Sequence, residues 1–337
     1  MDTAVKPRAA KKPAAKERQD LRAWIAQLRA ADELQDIDGA EREREISGIV
    51  DIYQRRIRNK AVLFDDIPGY PRGHRILANI LTSVSPHQHH ARTRCRRDAT
   101  ALVHYWRLYM KEARAIPPVT VRSGPVMENT LTGSDIDIFK IPVPRWHEHD
   151  GGYYIGTGDM VIMRDPDTGW INYGAYRVQA QGRNAATVMC SKGKHGDLIR
   201  RRYHERGEPC PVAVVCGMHP ALFMIVCLEI PYGRNEFDAA GGLIGEPVEV
   251  IAGPRTGLPI PAHAEIDGQS GVGDVHALRS ARGHGDTARL LVDRTRLWCR
   301  RSAQRACGSR RLQAGQTAGY FPRRGARQQG GRGSRSQ

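Results

Sequence analysis

The sequence predicts an α+β protein in which a small α/β region precedes a β-rich region and a tail. Residues 19–30 and 40–59 carry apolar side chains at helical spacing, and residues 61–64 form a short apolar strand. From residue 119 onward, short strand-like segments are separated by Gly, Pro and Asp at intervals that suit a small β-barrel. We expect four parts: a disordered start (1–18), an α/β region (19–118), a barrel domain (119–266) and an Arg/Gly-rich disordered tail (267–337).

A predicted hairpin lies at the centre of the barrel domain. Residues 160–164 have strand character, residues 165–169 (Asp-Pro-Asp-Thr-Gly) are turn residues, and residues 170–179 form the second strand. Since strand side chains alternate, Asn172, Gly174 and Tyr176 are expected on one face. Farther along the chain, residues 194–206 predict a basic helix.

Charge and cysteine content restrict the function classes. The net charge of +16 would favour nucleic-acid binding, but residues 266–337 contain 15 Arg and 4 Asp, a net of +11, which leaves +5 for the rest. The basicity is therefore local, and nucleic-acid binding through the tail stays as an alternative function. The sequence has no run of 18 apolar residues, so no membrane partner is expected, and its seven cysteines form no CxxC pair, which favours reduced thiols in the cytoplasm.

Three polar residues are candidate metal ligands. Asn172, His195 and Glu236 offer amide oxygen, imidazole nitrogen and carboxylate oxygen, a mixed set that suits Mg²⁺ or Mn²⁺ better than a thiolate-bound zinc ion. Their spacing is irregular, so an ordinary surface His and surface Glu remain the alternative interpretation.

Several segments in the same order resemble the UbiD-like decarboxylases, which use prenylated FMN. The resemblance covers about residues 63–265 and implies a split β-barrel flavin-binding domain. Its most specific segments are 164–169 (Arg-Asp-Pro-Asp-Thr-Gly), 172–177 (Asn-Tyr-Gly-Ala-Tyr-Arg), 193–195 (Gly-Lys-His) and 206–214 (Arg-Gly-Glu-Pro-Cys-Pro-Val-Ala-Val).

The resemblance also implies site residues and cofactors. Asn172, His195 and Glu236 match the family's Mn²⁺ ligands, and Trp170 matches a backbone ligand of K⁺. Arg177 matches the catalytic arginine that holds the substrate carboxylate. The implied cofactor-binding residues are Asn172, Tyr173, Gly174, Ala175, Tyr176, Arg177, Lys194, His195 and Glu236.

The implied activity is non-oxidative, reversible decarboxylation of aromatic or α,β-unsaturated carboxylic acids. A flavin prenyltransferase would supply the cofactor, and family members form homo-oligomers, although assembly is doubtful for this chain. The family's acid motif, of the type Glu-Gly-Pro-Phe-Gly-Glu, is absent from the sequence, which has no Glu after Glu265. We therefore expect that residues 86–97 and 267–337 are read out of frame, and that this chain is inactive or nearly so. A flavin-binding remnant without catalysis is an alternative.

Overall fold

The structure, a computed structural model, describes residues 20–56, 59–81, 103, 106–107 and 114–270, together with the backbone of three further strands at 276–278, 287–291 and 296–299. The expected disordered start and the segment 86–97 lie outside the described residues. The described parts form a mixed α+β fold, as the sequence predicts. The five helices within them are α1 (Leu21–Ala30), α2 (Glu45–Gln54), α3 (His195–Glu205), α4 (Pro220–Val226) and α5 (Glu236–Ile244).

The N-terminal α/β region is a small sheet with one helix packed on each face. Apolar residues of β2 alternate between the faces, so that Ala61 and Leu63 contact α1 while Val62 and Phe64 contact α2. The first strand pairs with the second in parallel, and the second pairs with the third in antiparallel. The three strands are β1 (Leu34–Asp38), β2 (Ala61–Asp65) and β3 (Ile76–Ala78).

The remaining described strands form two large sheets and one small sheet. The five-stranded sheet has the order β15-β16-β10-β9-β6, the six-stranded sheet β5-β17-β14-β11-β7-β8, and the small sheet β13-β12-β4. These strands are β4 (Val119–Thr120), β5 (Asn129–Thr132), β6 (Tyr154–Gly156), β7 (Met160–Arg164), β8 (Ile171–Gly174), β9 (Arg177–Gly182), β10 (Ala185–Met189), β11 (Val212–Cys216), β12 (Glu249–Ala252), β13 (Pro259–Pro261), β14 (Ile266–Ser270), β15 (His276–Leu278), β16 (Thr287–Leu291) and β17 (Arg296–Cys299).

Both faces of the six-stranded sheet are apolar, which places this sheet in the middle of the domain. One face, with Val161 and Val214, packs against Val178 and Val188 of the five-stranded sheet. The other face packs against α4, α5 and the small sheet, through buried residues that include Met160, Ile162, Ala213, Val215, Ile225 and Phe237. Such continuous apolar runs are typical of a strand that is covered on both sides.

The predicted tail needs correction, and the predicted barrel is observed only at the coarser level of open sheets that pack on one another. The described strands form open sheets, and none of the sheets in this part of the chain closes into a barrel. The disordered tail expected from residue 267 is wrong for residues 267–270, which lie in β14, and for the three strands that follow, because all four pair with neighbouring strands. The Arg/Gly-rich composition predicts that the backbone N–H and C=O groups of these residues bond to water. Pairing with neighbouring strands instead gives these groups partners within the sheets.

Strand β14 contributes buried polar side chains as well as backbone bonds. Asp267 and Gln269 have exposed fractions of 1% and 0%. The side-chain oxygen of Gln269 accepts three hydrogen bonds of 3.1 Å, from the backbone N–H groups of Arg255 and Thr256 and from the Thr256 hydroxyl, and its amide donates to Asp267 at 2.7 Å. The strand thereby fixes the turn between β12 and β13.

No helix within the described ranges is long and apolar enough to cross a membrane. The four cysteines whose side chains are described are free thiols, of which Cys190 and Cys210 are buried and Cys227 is exposed.

The Gln269→Leu variant tests whether β14 is an integral part of the fold. The substitution removes the acceptor for two partly buried backbone N–H groups and the partner of the buried Asp267 carboxylate, and each buried polar group left without a partner costs about 1–3 kcal/mol. We expect the free energy of unfolding, measured with urea, to fall by about 2–4 kcal/mol. The exposed Gln181 on β9 is the control, and Gln181→Leu should stay within about 0.5 kcal/mol of the parent. Equal stability of all three proteins would contradict an integral β14.

Candidate functional site

The site is built where β8, α3 and α5 meet. Asn172 lies on β8, opposite Met163 of β7, and has an exposed fraction of 2%. Its amide donates to the hydroxyl of Tyr176 at 3.4 Å, so the predicted proximity of these two side chains is observed, although β8 ends at Gly174. The chain leaves the six-stranded sheet at this point and starts β9 in the five-stranded sheet at Arg177.

Tyr176 connects the end of β8 to the start of α3. Its hydroxyl oxygen accepts a 2.8 Å hydrogen bond from the backbone N–H of Gly196. The ring lies against two glycines: a Cβ atom on Gly174 would be 2.4 Å from the ring, and one on Gly196 would be 2.8 Å from it. Burial raises the pKa of the Tyr176 phenol to about 12, so the hydroxyl keeps its proton at neutral pH.

His195 is the first residue of α3. Its half-buried ring lies at an edge to Trp170 (centroids 5.2 Å apart, 78° between planes) and to Tyr232 (5.3 Å, 85°). Burial lowers the pKa of His195, and the positive charge of Lys194 lowers it further. The imidazole is therefore neutral near pH 7, the form that binds metal ions.

Glu236 is the first residue of α5 and has an exposed fraction of 2%. Burial raises its pKa to about 7, although hydrogen bonds from its own backbone and from that of Tyr173 act in the opposite direction. Its Oε2 atom is buried and has no hydrogen-bond partner among the described residues. A buried carboxylate oxygen without a partner is costly, and a bound cation would offset that cost.

The structure thus brings the three predicted metal ligands to one junction. Asn172 donates a hydrogen bond to Tyr176, which in turn accepts one from Gly196, the neighbour of His195. Glu236 accepts a hydrogen bond from the backbone of Tyr173, the neighbour of Asn172. Their donors are amide, imidazole and carboxylate, which fit a hard divalent cation such as Mn²⁺ or Mg²⁺. Within the described ranges, no three His, Cys, Asp or Glu residues form a group that could hold a metal ion. The candidate set contains only two residues of these four types, His195 and Glu236, because its third member is Asn172.

The other predicted site residues have mixed placements. The ring of Tyr173 stacks on Phe237 in the core, with centroids 3.7 Å apart, so only its backbone faces the junction. The backbone N–H of Ala175 donates to Val226 at 3.2 Å. The carbonyl of Trp170, the predicted K⁺ ligand, accepts a hydrogen bond of 2.7 Å from the N–H of Asp165, which leaves it one lone pair for a cation.

Two of the predicted site residues have cationic side chains, and both side chains are exposed. Arg177 is exposed at the start of β9, and its guanidinium lies 5.9 Å from the ring centroid of Tyr154. Lys194 precedes α3 and forms an ion pair with the exposed Glu229. Arg177 is therefore not joined to the Asn172–Glu236 junction by any contact within the described ranges, while Lys194 lies beside a helix N-terminus suited to an anion.

Sequence reasoning missed Tyr232 and Asp165. Tyr232 lies in the loop before α5, and its hydroxyl donates to the fully buried carboxylate of Asp165. A Pro-Tyr-Gly sequence before a helix is a common loop pattern, so the only available signal was an aromatic residue close to Glu236.

A match to a known protein family covers the region that contains the junction. Residues 118–267 match the family described as "UbiD: 3-octaprenyl-4-hydroxybenzoate carboxy-lyase Rift-related domain". Over this region, which is less than half of the chain, the chain resembles the UbiD-like family, as the sequence motifs predict.

Curated relatives agree with this assignment over part of their length. The pyrrole-2-carboxylic acid decarboxylase of Pseudomonas aeruginosa is 35% identical over 154 residues, which are 46% of this chain and 31% of the relative. Ferulic acid decarboxylase 1 of Saccharomyces cerevisiae is 30% identical over 175 residues, 50% of this chain and 35% of the relative. The chain thus spans about a third of the length of these relatives.

Solved structures show the same fold. Vanillic acid decarboxylase of Sedimentibacter hydroxybenzoicus in its closed form superposes with a TM-score of 0.71 at 21% identity, over 85% of this chain and 63% of that one. An evolved dimeric form of the UbiD-class enzyme HmfF from Pelotomaculum thermopropionicum, in complex with prFMN, gives a TM-score of 0.69 at 21% identity, over 85% and 66%.

The Gly174→Ala variant tests the packing of Tyr176. The added methyl group would overlap the ring at 2.4 Å, so the ring must move and its hydrogen bond to Gly196 breaks. We expect a loss of about 1–3 kcal/mol in the free energy of unfolding. Gly182 on β9 has nothing within 4 Å of an added Cβ, and Gly182→Ala should not destabilise. A stable Gly174→Ala protein would contradict the close packing.

Replacing Glu236 by Gln tests its raised pKa. Because the folded-state pKa of about 7 lies above the ordinary value of 4.5, the folded state binds more protons between these values. This group therefore lowers stability as pH rises from 4.5 to 7.

In chelator-treated protein, we expect Glu236→Gln to gain stability over the parent across that pH window, by on the order of 3 kcal/mol above pH 7. Urea unfolding at several pH values measures the difference. The exposed Glu205, changed to Gln, is the control and should give a curve parallel to the parent. A parallel curve for Glu236→Gln as well would contradict the assigned burial.

Proposed function

We propose that this chain is a non-oxidative, reversible decarboxylase of aromatic or α,β-unsaturated carboxylic acids that depends on prenylated FMN. The observation that carries the proposal is the junction of Asn172, His195 and Glu236, in which a buried carboxylate oxygen lacks a partner among the described residues. The UbiD-like family match and the decarboxylase relatives support the reaction type.

Each residue of the junction has an assigned role in this proposal. Asn172, His195 and Glu236 would hold Mn²⁺, and the Trp170 carbonyl would bind K⁺. Lys194 and the N-terminus of α3 would bind the flavin phosphate, since the ammonium group and the positive end of the helix dipole favour an anion. When bound, prenylated FMN supplies the electron sink for the loss of CO₂.

The chain's own residues then bind and orient the substrate. The exposed Arg177 would pair with the substrate carboxylate, a charge-assisted interaction with a fixed geometry. The half-buried phenol of Tyr176, with its pKa raised to about 12, would keep α3 in register with β8. The free thiols of the four described cysteines are consistent with the proposed cytoplasmic location.

A reconstitution experiment tests the proposal. The chain is produced together with a flavin prenyltransferase in the presence of Mn²⁺ and K⁺, and two quantities are measured: the absorbance of bound flavin and the CO₂ released from carboxyl-labelled pyrrole-2-carboxylate and ferulate. Bound flavin with CO₂ release supports the decarboxylase. Bound flavin without CO₂ release supports the alternative of a flavin-binding remnant.

Two variants separate the cofactor and substrate roles. We expect Glu236→Gln to lose bound Mn²⁺ and flavin together, because a neutral amide is a weaker ligand than a carboxylate. Arg177→Leu should retain the flavin but lose CO₂ release by at least about a hundredfold, since the substrate carboxylate is no longer oriented. The exposed Arg122, changed to Leu, is the control and should behave as the parent. Flavin loss in Arg177→Leu would contradict the division of roles.

A further inference from the structure

Three aromatic rings pack against one another beside the metal-ligand candidates. Tyr232 lies at an edge to His195, with centroids 5.3 Å apart, and contacts Trp170 at 4.4 Å. Trp170 lies at an edge to the same His195 ring, at 5.2 Å. We call these three residues the aromatic clamp. Edge-to-face pairs at such distances are attractive and restrict ring orientation.

In the clamp, ring packing takes the role that a hydrogen bond usually has in orienting a metal-binding histidine. A metal-binding histidine normally donates its second ring N–H to a carboxylate or carbonyl group, which fixes the ring. Within the described ranges, neither ring nitrogen of His195 makes a hydrogen bond, and its ring contacts are those with Trp170 and Tyr232. The orientation of the imidazole therefore depends on aromatic packing.

Tyr232 is itself held in place by a buried anchor. Its hydroxyl donates to Asp165, and Arg202 donates both to that hydroxyl and to Asp165. Asp165 is fully buried and also accepts the backbone N–H groups of Asp167 (2.8 Å) and Thr168 (3.3 Å) in the β7–β8 turn.

Two of these residues share one helix. Arg202 and His195 are seven residues apart on α3, so they lie on the same face two turns apart. The network thus joins the β7–β8 turn, α3 and the loop before α5 around a single imidazole.

We propose that Tyr232 is a positioning residue that fixes the ring of His195 for metal binding, with Trp170 as the adjoining second ring and Asp165 as the anchor. The metal-binding part of this inference rests on the proposed function. The clamp itself does not, because it is a property of the metal-free chain.

The first measurement concerns the metal-free protein. In an aromatic NMR spectrum, the ring protons of His195, assigned by their loss in His195→Gln, should show nuclear Overhauser effects to the rings of Trp170 and Tyr232 and ring-current shifts. In Tyr232→Leu we expect these shifts to move towards those of an unpacked histidine. Tyr232→Phe keeps the ring and should keep the shifts in part. Unchanged His195 resonances in Tyr232→Leu would overturn the clamp.

The second measurement concerns Mn²⁺ binding in the presence of FMN, followed by the electron paramagnetic resonance signal of free Mn²⁺. We expect Tyr232→Leu to weaken Mn²⁺ binding by about 10–100-fold, the range for lost supporting contacts, and Tyr232→Phe by less. Tyr53, which packs in the N-terminal α/β region, gives the control Tyr53→Leu with unchanged Mn²⁺ binding.

The two measurements fail separately. A parent protein that binds no Mn²⁺ would contradict the proposed function, while the NMR result would still decide the clamp. A released His195 ring in Tyr232→Leu with Mn²⁺ affinity equal to the parent would overturn the positioning role. Near-ultraviolet circular dichroism checks that each variant is folded.

Discussion

The hydrogen bond between the Tyr176 hydroxyl and the backbone N–H of Gly196 is the contact on which the arrangement of the site depends. It joins the end of a sheet strand to the first turn of α3 and so sets where His195 lies relative to Asn172. The contact is possible only because residues 174 and 196 lack a side chain, since a Cβ atom at either position would overlap the tyrosine ring. Two glycines and the Tyr176 phenol thus decide the geometry of the site, although the phenol is not one of the candidate metal ligands.

Burial of Glu236 is the second constraint, and it works against stability in the metal-free chain. The helix N-terminus and the N–H of Tyr173 stabilise the ionised carboxylate only in part, so its pKa remains near 7 and its Oε2 atom has no partner among the described residues. Proteins tolerate such a cost mainly at functional sites. A bound divalent cation would favour the ionised form and reverse the effect.

Aromatic packing supplies the rigidity around this charge. Trp170 and Tyr232 contact each other and both lie at an edge to the His195 ring, and the Asp165–Arg202 pair holds Tyr232 against α3. Tyr173 stacks on Phe237 below the junction and fixes α5 against β8. Ring packing therefore orients His195, whose ring nitrogens make no hydrogen bond within the described part of the chain.

The sequence by itself determined the local elements and the composition of the site. Helical spacing predicted α1 and α2, turn chemistry predicted the β7–β8 hairpin, and the motif order predicted the match to the UbiD-like family and the candidate ligands Asn172, His195 and Glu236. Only the tertiary structure decided that Gln269 completes a buried network, that the sheets stay open, and that Tyr232 contacts His195. The reason is physical: periodicity and turn residues act over a few positions, whereas strand pairing and ring packing join residues that are far apart in the chain and leave no local pattern.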